Sequence, residues 1–533
     1  MKKNVKNAVT KFQSYVDSCP NKNTAVEFGY EDTKNIQKSI LDNRFRGTNP
    51  LVAALEKSNN ITSTANGALA YRSTLNYLLD FFGNAGAMRK RSDTDVIQLF
   101  TKAFAEDRLL AMKTLFYIRD VRGGQGERKT FRTILKWLAV NYPDVVRKNI
   151  QNLSVYGRWD DLYTLFDTEL EKEAMGLMTK QLVADWTMMK DGKPVSLLAK
   201  WVKSENTSSG ESVAMARKFR EFLGWNSKKY RKTLSALRKH IDVVEVKMCA
   251  RQWEAINFEA VPSKATTNYR KAFEKRAETS YKDFLNKVEK GEAKINASTL
   301  YPYDILRTVV ENSQTATSLK AADLQWKALP NFLEGEGKGL VIADTSGSMN
   351  GLPLYVAVSL AIYFAERNLG PFKDVFMTFS NTPAFHRLVG NNILEKWNNL
   401  DKGGWDMNTN LQASFDLILK TALANKVAQK DIPFVLLVIS DMQFDIAGNN
   451  DKTNFEVIKE KFERAGYKLP NIVWWQVNST HNNVPVTFSD SGVAIVSGSH
   501  PSILKKICTT EFLTPMGLMM KSITDKRYDA VVV

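Results

Sequence analysis

The chain has 533 residues, 44% of them hydrophobic, so it exceeds what one hydrophobic core normally supports, and we expect two or more domains. Cys19, Cys249 and Cys508 lie too far apart in the sequence for a disulfide framework or a zinc motif. Because no apolar run reaches about eighteen residues, the sequence argues against a membrane-spanning helix, and we expect a soluble cytoplasmic protein.

The formal net charge of +17 is concentrated in the first part of the chain. Residues 338–533 contain 19 Lys and Arg against 18 Asp and Glu, whereas residues 1–337 contain 55 against 39. A strongly basic part joined to a nearly neutral one indicates that a polyanion would bind the basic part. On charge alone, a lysine-rich surface that only confers solubility explains the surplus about equally well.

The first two segments differ in their sequence pattern. Residues 1–90 are polar at first and contain turn residues at 47–50 and cap-like residues at 61–64, which predicts an arm packed on other parts. Residues 91–337 predict helices, because apolar residues recur at three-to-four spacing. Helix breaks are predicted at Gly123, Pro143, Gly157, Gly192 and Pro262. This pattern favours stacked helical hairpins, such as a HEAT-like solenoid, although no strict repeat period is present.

Residues 338–533 alternate short apolar runs with helical stretches. The predicted strands are 340–343, 375–379, 434–440, 472–477 and 493–496. The predicted helices lie near 355–367, 411–424, 454–465 and 502–508. Such alternation predicts an α/β doubly wound domain, a mostly parallel sheet covered by helices on both faces, with ligands beyond the carboxyl ends of the strands.

Side chains with oxygen atoms follow the predicted elements of this domain at three places. Asp344, Ser346 and Ser348 follow the first strand, Thr409 lies in a polar loop before a helix, and Asp441 follows the strand at 434–440. Carboxylate and hydroxyl oxygens suit Mg²⁺ or another hard divalent cation, whereas zinc or copper would favour His or Cys. Such an incomplete oxygen shell leaves a position for water or for a partner's carboxylate. The nearby acids Asp406 and Asp445 are further candidates for contributing to the site, but we favour the interpretation that each is a solvated loop residue.

This constellation resembles the metal-ion-dependent adhesion site of von Willebrand factor A domains. Asp344-x-Ser346-x-Ser348, Thr409 and Asp441 each stand in the matching strand and loop context. The resemblance implies a doubly wound domain that holds Mg²⁺ and recognises an acidic side chain of a partner. It departs from the family at Asn408 and Asn410, where Gly and Asp are common, and this departure predicts a weaker affinity.

Three basic segments of the helical part are candidates for contact with nucleic-acid phosphates. The candidates are Arg119, Arg122, Arg128 and Lys129 in a Gly-rich turn, Lys228, Lys229, Arg231 and Lys232 on a predicted helix, and Lys264, Arg270 and Lys271 around Tyr269. For the turn, helix capping with charges paired across it is slightly the better explanation. For the other two segments we favour nucleic acid over a merely solvated face.

The order of these segments carries a second resemblance. Residues 118–128 and 156–162, then Val261-Pro262-Ser263, then the adhesion-type domain, are similar to the TROVE module of Ro ribonucleoproteins and to a sister family with the same layout. The similarity covers most of the chain. In the Ro family the helices form a HEAT-like ring that the A domain helps to close. Single-stranded RNA ends enter the basic hole, and small structured RNA binds outside.

We therefore expect a non-catalytic RNA-binding protein whose Mg²⁺-binding domain serves closure or partner recognition. The alternative is a metal-dependent adaptor that captures an acidic protein partner. An enzyme is the least favoured class. The histidines of this chain lie in no recognisable catalytic motif; they are His240, His386, His481 and His500. Two aspartates are also fewer carboxylates than a two-metal phosphodiesterase requires.

Overall fold

The structure, a computed structural model, describes residues 58–533 except 313, 334–338, 380–381, 401, 403–404, 406–407, 447–451 and 509–512. Residues 1–57 of the predicted arm, the predicted boundary at 337/338 and the acid Asp406 lie outside the described residues. Where the chain is described, no helix combines the length and the apolar character that crossing a membrane requires.

The described chain begins with a hairpin and continues as helices. Strands β1, Ile61–Ser63, and β2, Leu69–Tyr71, pair antiparallel. The first helices, α1 to α8, are Tyr77–Ala85, Asp93–Glu106, Arg108–Arg119, Lys129–Asn141, Pro143–Asn149, Asn152–Tyr156, Glu171–Lys190 and Leu198–Trp201. The next, α9 to α15, are Gly210–Phe222, Ser227–His240, Val244–Cys249, Ser263–Arg276, Glu278–Glu289, Pro302–Glu311 and Ala316–Lys327.

The remainder contains a mixed sheet. Its strands, β3 to β8, are Gly339–Asp344, Val375–Phe379, Ala384–Arg387, Val435–Ser440, Asn471–Gln476 and Val493–Ser497. Its helices, α16 to α21, are Leu352–Arg367, Ile393–Asn398, Leu411–Ala424, Asn454–Arg464, Ile503–Cys508 and Pro515–Ile523.

The strand order β5-β4-β3-β6-β7-β8 determines where a ligand can bind. All neighbouring strands are parallel except β5, which pairs antiparallel with β4. After β3 the chain adds β4 and then β5 on one side of β3. It then crosses to the other side of β3 and adds β6, β7 and β8 in turn. In such sheets the crevice lies where the direction reverses, at the carboxyl ends of the two central strands. Asp344 ends β3 and Asp441 follows β6, so both lie at this crevice.

The central strands are continuous apolar runs because both of their faces are covered. Along β3, Val341 and Ala343 contribute to one apolar core, while Leu340 and Ile342 contribute to another on the opposite face. Each β3 residue is buried, as expected for a parallel sheet between two layers.

Helix α1 packs closely on the edge strand β8. A Cβ atom at Gly83 would lie 2.7 Å from Ile495 Cγ2, and one at Gly86 would lie 2.7 Å from the Ser497 carbonyl oxygen. Only glycine permits this approach, and the Ser497 hydroxyl reinforces it by donating to the Phe82 carbonyl at 2.8 Å. One apolar core therefore contains residues from both the helical part and the sheet.

The C-terminal residues return to the helical part. Asn149 Nδ2 donates to the Val532 carbonyl at 2.6 Å, and the Val532 N–H donates to Asn149 Oδ1 at 3.1 Å. Tyr528 is buried in the core shared by the two parts. The C-terminal residues thus bond helix α5 and connect it to the part that contains the sheet.

The prediction of a helical part followed by a part with a sheet is confirmed. The five predicted strands are each present to within one residue at either end. Strands β1, β2 and β5 and helices α1, α17 and α21 were not predicted, and residues 61–63, interpreted as turn and cap, form a strand. These strands have three or four residues, too few to show an alternating pattern in a polar sequence.

Candidate metal centre and basic surface

Asp344 is held by the loop that follows β3 and by the neighbouring strand. Its side chain is fully buried. The Ser346 N–H donates to Asp344 Oδ1 at 2.9 Å, and the Ser440 hydroxyl donates to Oδ2 at 2.5 Å. Both donors belong to backbone segments at the carboxyl edge of the sheet, so the position of the carboxylate follows directly from the strand order.

Asp441 lies opposite, in the loop after β6. The Gln443 N–H donates to Asp441 Oδ1 at 3.2 Å, and the Ser348 hydroxyl also bonds this carboxylate. Ser346 Oγ and Ser348 Oγ are 3.3 Å apart. The structure therefore brings four of the five predicted metal ligands together.

The two carboxylates are buried beside each other. Burial, and next the neighbouring Asp441 carboxylate, raise the pKa of Asp344 to about 7. Burial also raises the pKa of Asp441, against the opposing charge of His481. Neither forms an ion pair with lysine or arginine in the part of the chain that the structure describes. Burying two like charges without a cation is costly, and a bound divalent ion would remove that cost.

Thr409, the fifth predicted ligand, is fixed by the segment that follows Asp441. Its N–H donates to Asp445 Oδ2 at 2.8 Å, and the Asp445 N–H donates back to the Thr409 carbonyl at 3.1 Å. Asp445 is thus not the solvated loop residue that we interpreted from the sequence. It holds the Thr409 loop against the chain beyond β6.

Asn66, in the turn between β1 and β2, is a residue that sequence reasoning missed. Its Nδ2 donates to Thr409 Oγ1 at 3.1 Å and to the Gln443 carbonyl at 2.7 Å. One amide group therefore orients the Thr409 hydroxyl and ties it to the Asp441 loop. No signal pointed to Asn66, because it is 343 positions from Thr409 and its surroundings were interpreted as turn and cap.

The donor set fits a hard divalent cation. Asp344, Ser346, Ser348, Thr409 and Asp441 offer oxygen atoms alone, which suits Mg²⁺ and not zinc. Among the described residues no group of three or more His, Cys, Asp or Glu side chains could hold a metal ion. The site therefore depends on two carboxylates completed by hydroxyls, water or an added carboxylate.

Most cations of the Gly-rich turn are engaged within the protein. Arg119 is fully buried and bonds Asp161, with Nη2 2.7 Å from Oδ2, so it is not accessible to RNA. Arg122 Nη1 donates to the Val155 carbonyl at 2.9 Å. Lys129 Nζ donates to the carbonyls of Arg89 and Arg91 at 3.3 and 3.1 Å, and Arg128 is exposed.

The acids of this turn pair with distant segments and not across the turn. Glu127 binds Arg89, and Asp120 binds Arg527. The two acids form ion pairs, as predicted, but their partners Arg89 and Arg527 lie outside the turn. This segment therefore joins α3 to its neighbours.

The candidates on α12 are also partly engaged. Arg270 is buried, its pKa is lowered by burial, and its Nη2 donates to Gln314 Oε1 at 3.1 Å. Lys264 Nζ lies 2.5 Å from Asp304, and Lys271 Nζ donates to Asn312 at 3.2 Å. Both lysines are exposed.

The third group lies along α10. Lys228, Lys229, Arg231 and Lys232 are all exposed, and none forms an ion pair with a described residue. The three predicted groups therefore occupy separate elements, and α10 carries four exposed cations that form no ion pair with a described residue.

Two family models and one relative match this chain. The model described as domain of unknown function DUF2828 matches residues 64–209 and 195–338, and that of DUF7788 matches 338–524. The "Uncharacterized protein L728" of Acanthamoeba polyphaga mimivirus is 29% identical over 503 residues, 86% of this chain and 87% of the viral protein. The likeness to the viral protein thus extends over the helical and the sheet-containing parts.

Proposed function

The chain belongs to the family described as DUF2828, whose match covers more than half of its residues, and we propose that it is a non-catalytic RNA-binding protein. In this proposal the basic helical part binds single-stranded or small structured RNA, as in the TROVE module of Ro ribonucleoproteins. The sheet-containing part is a von Willebrand factor A domain that holds Mg²⁺.

The exposed cations of α10 carry this proposal. Lys228, Lys229, Arg231 and Lys232 project from one helix without ion-pair partners among the residues described. A carboxylate partner would neutralise such a group, whereas cations left unpaired on a part with a large basic surplus attract polyanions. Binding through these groups releases counterions from the nucleic acid.

The connections between the two parts support a ring. The helical part begins with α1 on β8 and ends with α14 and α15 against α16 and α17. Near this second contact, Trp326 Nε1 donates to Glu366 Oε2 at 2.7 Å. A helical part with both ends on one domain would be closed by that domain, and its successive helix pairs are compatible with HEAT-like stacking.

The cation site would contribute to closure. A divalent ion between Asp344 and Asp441 would neutralise them and order the loops after β3 and β6. Asn66 bonds the Thr409 loop and belongs to the hairpin that leads directly into α1. Mg²⁺ in this role stabilises the junction of the two parts and takes no part in a reaction.

Filter binding of single-stranded RNA across a salt series tests the proposal. We expect tight binding at low salt and a steep loss as the salt concentration rises. Weak binding with no salt dependence would contradict it. Turnover of RNA in Mg²⁺ or Mn²⁺ that Asp441→Ala abolishes would show an enzyme instead.

A metal-dependent protein adaptor is the second candidate. The observation that favours it is the oxygen-only site at the sheet edge, which two carboxylates and three hydroxyls leave incomplete. An adaptor of this kind loses its protein partner in EDTA and regains it with Mg²⁺. Pull-down experiments under both conditions separate the two candidates, because EDTA does not remove the α10 cations.

A further inference from the structure

A surface groove lies between α7 and α10, outside the cation site. It has a volume of about 530 Å³. Its lining includes Trp186 of α7 and Lys229, Lys232, Thr233, Ser235 and Lys239 of α10. The groove is therefore basic and aromatic on facing helices.

The spacing on α10 places its lysines along one face. Lys232 follows Lys229 by three residues, and Lys239 follows Lys232 by seven, which are both near whole numbers of helical turns. Short side chains at Thr233, Ser235 and Ala236 line the groove between them. Three ammonium groups thus follow a line of about 15 Å at 1.5 Å per residue.

Aromatic rings accompany these cations. Trp186 is half-buried, packs on the core and leaves part of its ring in the groove, with Lys190 Nζ 5.8 Å from the ring centroid. Lys229 Nζ lies 4.7 Å from the centroid of the Trp225 ring. A partly exposed indole attracts cations to its face and offers a planar surface for stacking.

The lysines of the groove have no carboxylate partner where the chain is described. The acid next to Trp186, Asp185, is buried and already accepts hydrogen bonds from Ser196 at 2.6 Å and from Gln181 at 2.8 Å. The residues that line the groove also include no Asp or Glu.

We propose that this groove binds unpaired nucleotides of single-stranded RNA, with Trp186 stacked on a base and Lys229, Lys232 and Lys239 on the phosphates. The inference rests on the proposed function. It adds which surface binds the RNA and that the bound RNA is single-stranded. In a duplex the bases are already stacked and paired, so an indole ring cannot reach them, whereas a single strand presents them. An acidic peptide would use the lysines but would gain nothing from stacking.

Fluorescence anisotropy of the full chain with labelled oligo(U) tests this inference. Trp186→Ala weakens binding about 5- to 150-fold, the range for losing one base stack, while Trp186→Phe keeps most of the affinity. Lys229→Glu with Lys232→Glu weakens binding at low salt, and neutralising these positions as Lys229→Gln with Lys232→Gln lowers the salt slope by about 1.4, at 0.7 per phosphate contact. Lys420→Glu with Lys430→Glu, exposed lysines of the sheet-containing part, is the matched control and leaves binding unchanged.

The outcomes of these measurements distinguish a failure of the groove proposal from a failure of the proposed RNA binding. Wild-type protein that binds no RNA at low salt overturns both. Wild-type protein that binds RNA while the groove variants bind equally well overturns the groove alone. Competition by poly-glutamate as strong as by oligo(U), with no effect of Trp186→Ala, would show an acidic protein ligand and overturn the RNA assignment. Duplex RNA bound as tightly as oligo(U) would contradict the stacking.

Discussion

Arg527 donates two hydrogen bonds to the carboxylate of Asp120, although 407 positions separate them in the sequence. Nη2 lies 2.8 Å from Oδ1, Nε bonds Oδ2, and the Tyr528 hydroxyl donates to Oδ2 at 3.0 Å. Asp120 is fully buried. Burial acts to raise the pKa of Asp120, but the bonds and charge of Arg527, together with the backbone N–H groups of Arg122 and Gly123, outweigh it and lower the pKa. The C-terminal segment is thus fastened to the turn after α3.

Arg527→Ala should destabilise the protein by about 1–3 kcal/mol, because it leaves a buried carboxylate with fewer donors. Urea unfolding measures this difference. Lys526→Ala is the control, since Lys526 is exposed and adjacent, and we expect a change below about 0.5 kcal/mol. Equal effects of the two substitutions would show that the Asp120 pair does not fasten the tail.

Mg²⁺ should stabilise the wild-type protein, and Asp441→Asn should abolish that gain. At about 100 times the dissociation constant, a ligand specific to the folded state adds about 2.7 kcal/mol. In EDTA the variant should be at least as stable as the wild type, because it removes one of two buried like charges. Thermal unfolding with Mg²⁺ and with EDTA gives both comparisons.

A suitable control for this experiment is Asp416→Asn, which removes a carboxylate that pairs with Lys461 outside the cation site. It should keep the full Mg²⁺ response. If Mg²⁺ raises the melting temperature of Asp441→Asn as much as that of the wild type, the ion binds elsewhere.

Asn66→Ala should lower the Mg²⁺ affinity about 10-fold, the lower limit for a residue that orients a metal ligand. The physical reason is that Thr409 Oγ1 loses the donor that fixes its direction. Isothermal titration with MgCl₂ measures the affinity, and Asn59→Ala, an exposed residue of the same segment, is the control. An unchanged affinity would mean that the hairpin only covers the loop.

Acid should destabilise the protein through His500. Burial lowers the pKa of His500 to about 4, against the opposing charge of Asp120, and the Ser502 N–H donates to its Nδ1 at 3.1 Å. Because this pKa lies below the ordinary value of 6.5, the unfolded state binds the proton more readily. The contribution of His500 to the free energy of unfolding is fully present above pH 6.5 and is lost as the pH falls toward 4.

The measurement is urea unfolding at pH 7 and pH 5, for which the wild type should lose about 2 kcal/mol through this group. His500→Asn does not titrate, so its stability should fall less over the same interval. If both proteins lose the same amount, other groups cause the acid sensitivity.

The sheet was predictable because burial on both faces makes its strands recognisable as apolar runs. The run 434–440, for example, precedes Asp441 directly, so sequence order alone places a carboxylate at the sheet edge. The local sequence does not show that β3 and β6 are neighbouring strands of the sheet. It depends on the strand order, which long-range packing decides.

The basic candidates were harder to judge, because composition does not show which cations are buried. Arg119 and Lys229 look alike in the sequence, yet one is enclosed with Asp161 and the other lines an open groove. Trp186 was missed for the related reason that the residues on either side of it, Asp185 and Thr187, are not basic. Its lysine partners come from α10, about forty residues later.

The contact between Gly83 of α1 and Ile495 of β8 has a practical consequence for anyone who divides this chain. The two family matches meet at residue 338, which invites expression of each half alone. A fragment that begins there would lack α1 and expose the apolar side of β8 to water, and a fragment that ends there would lose the cover of α1. We expect both halves to aggregate.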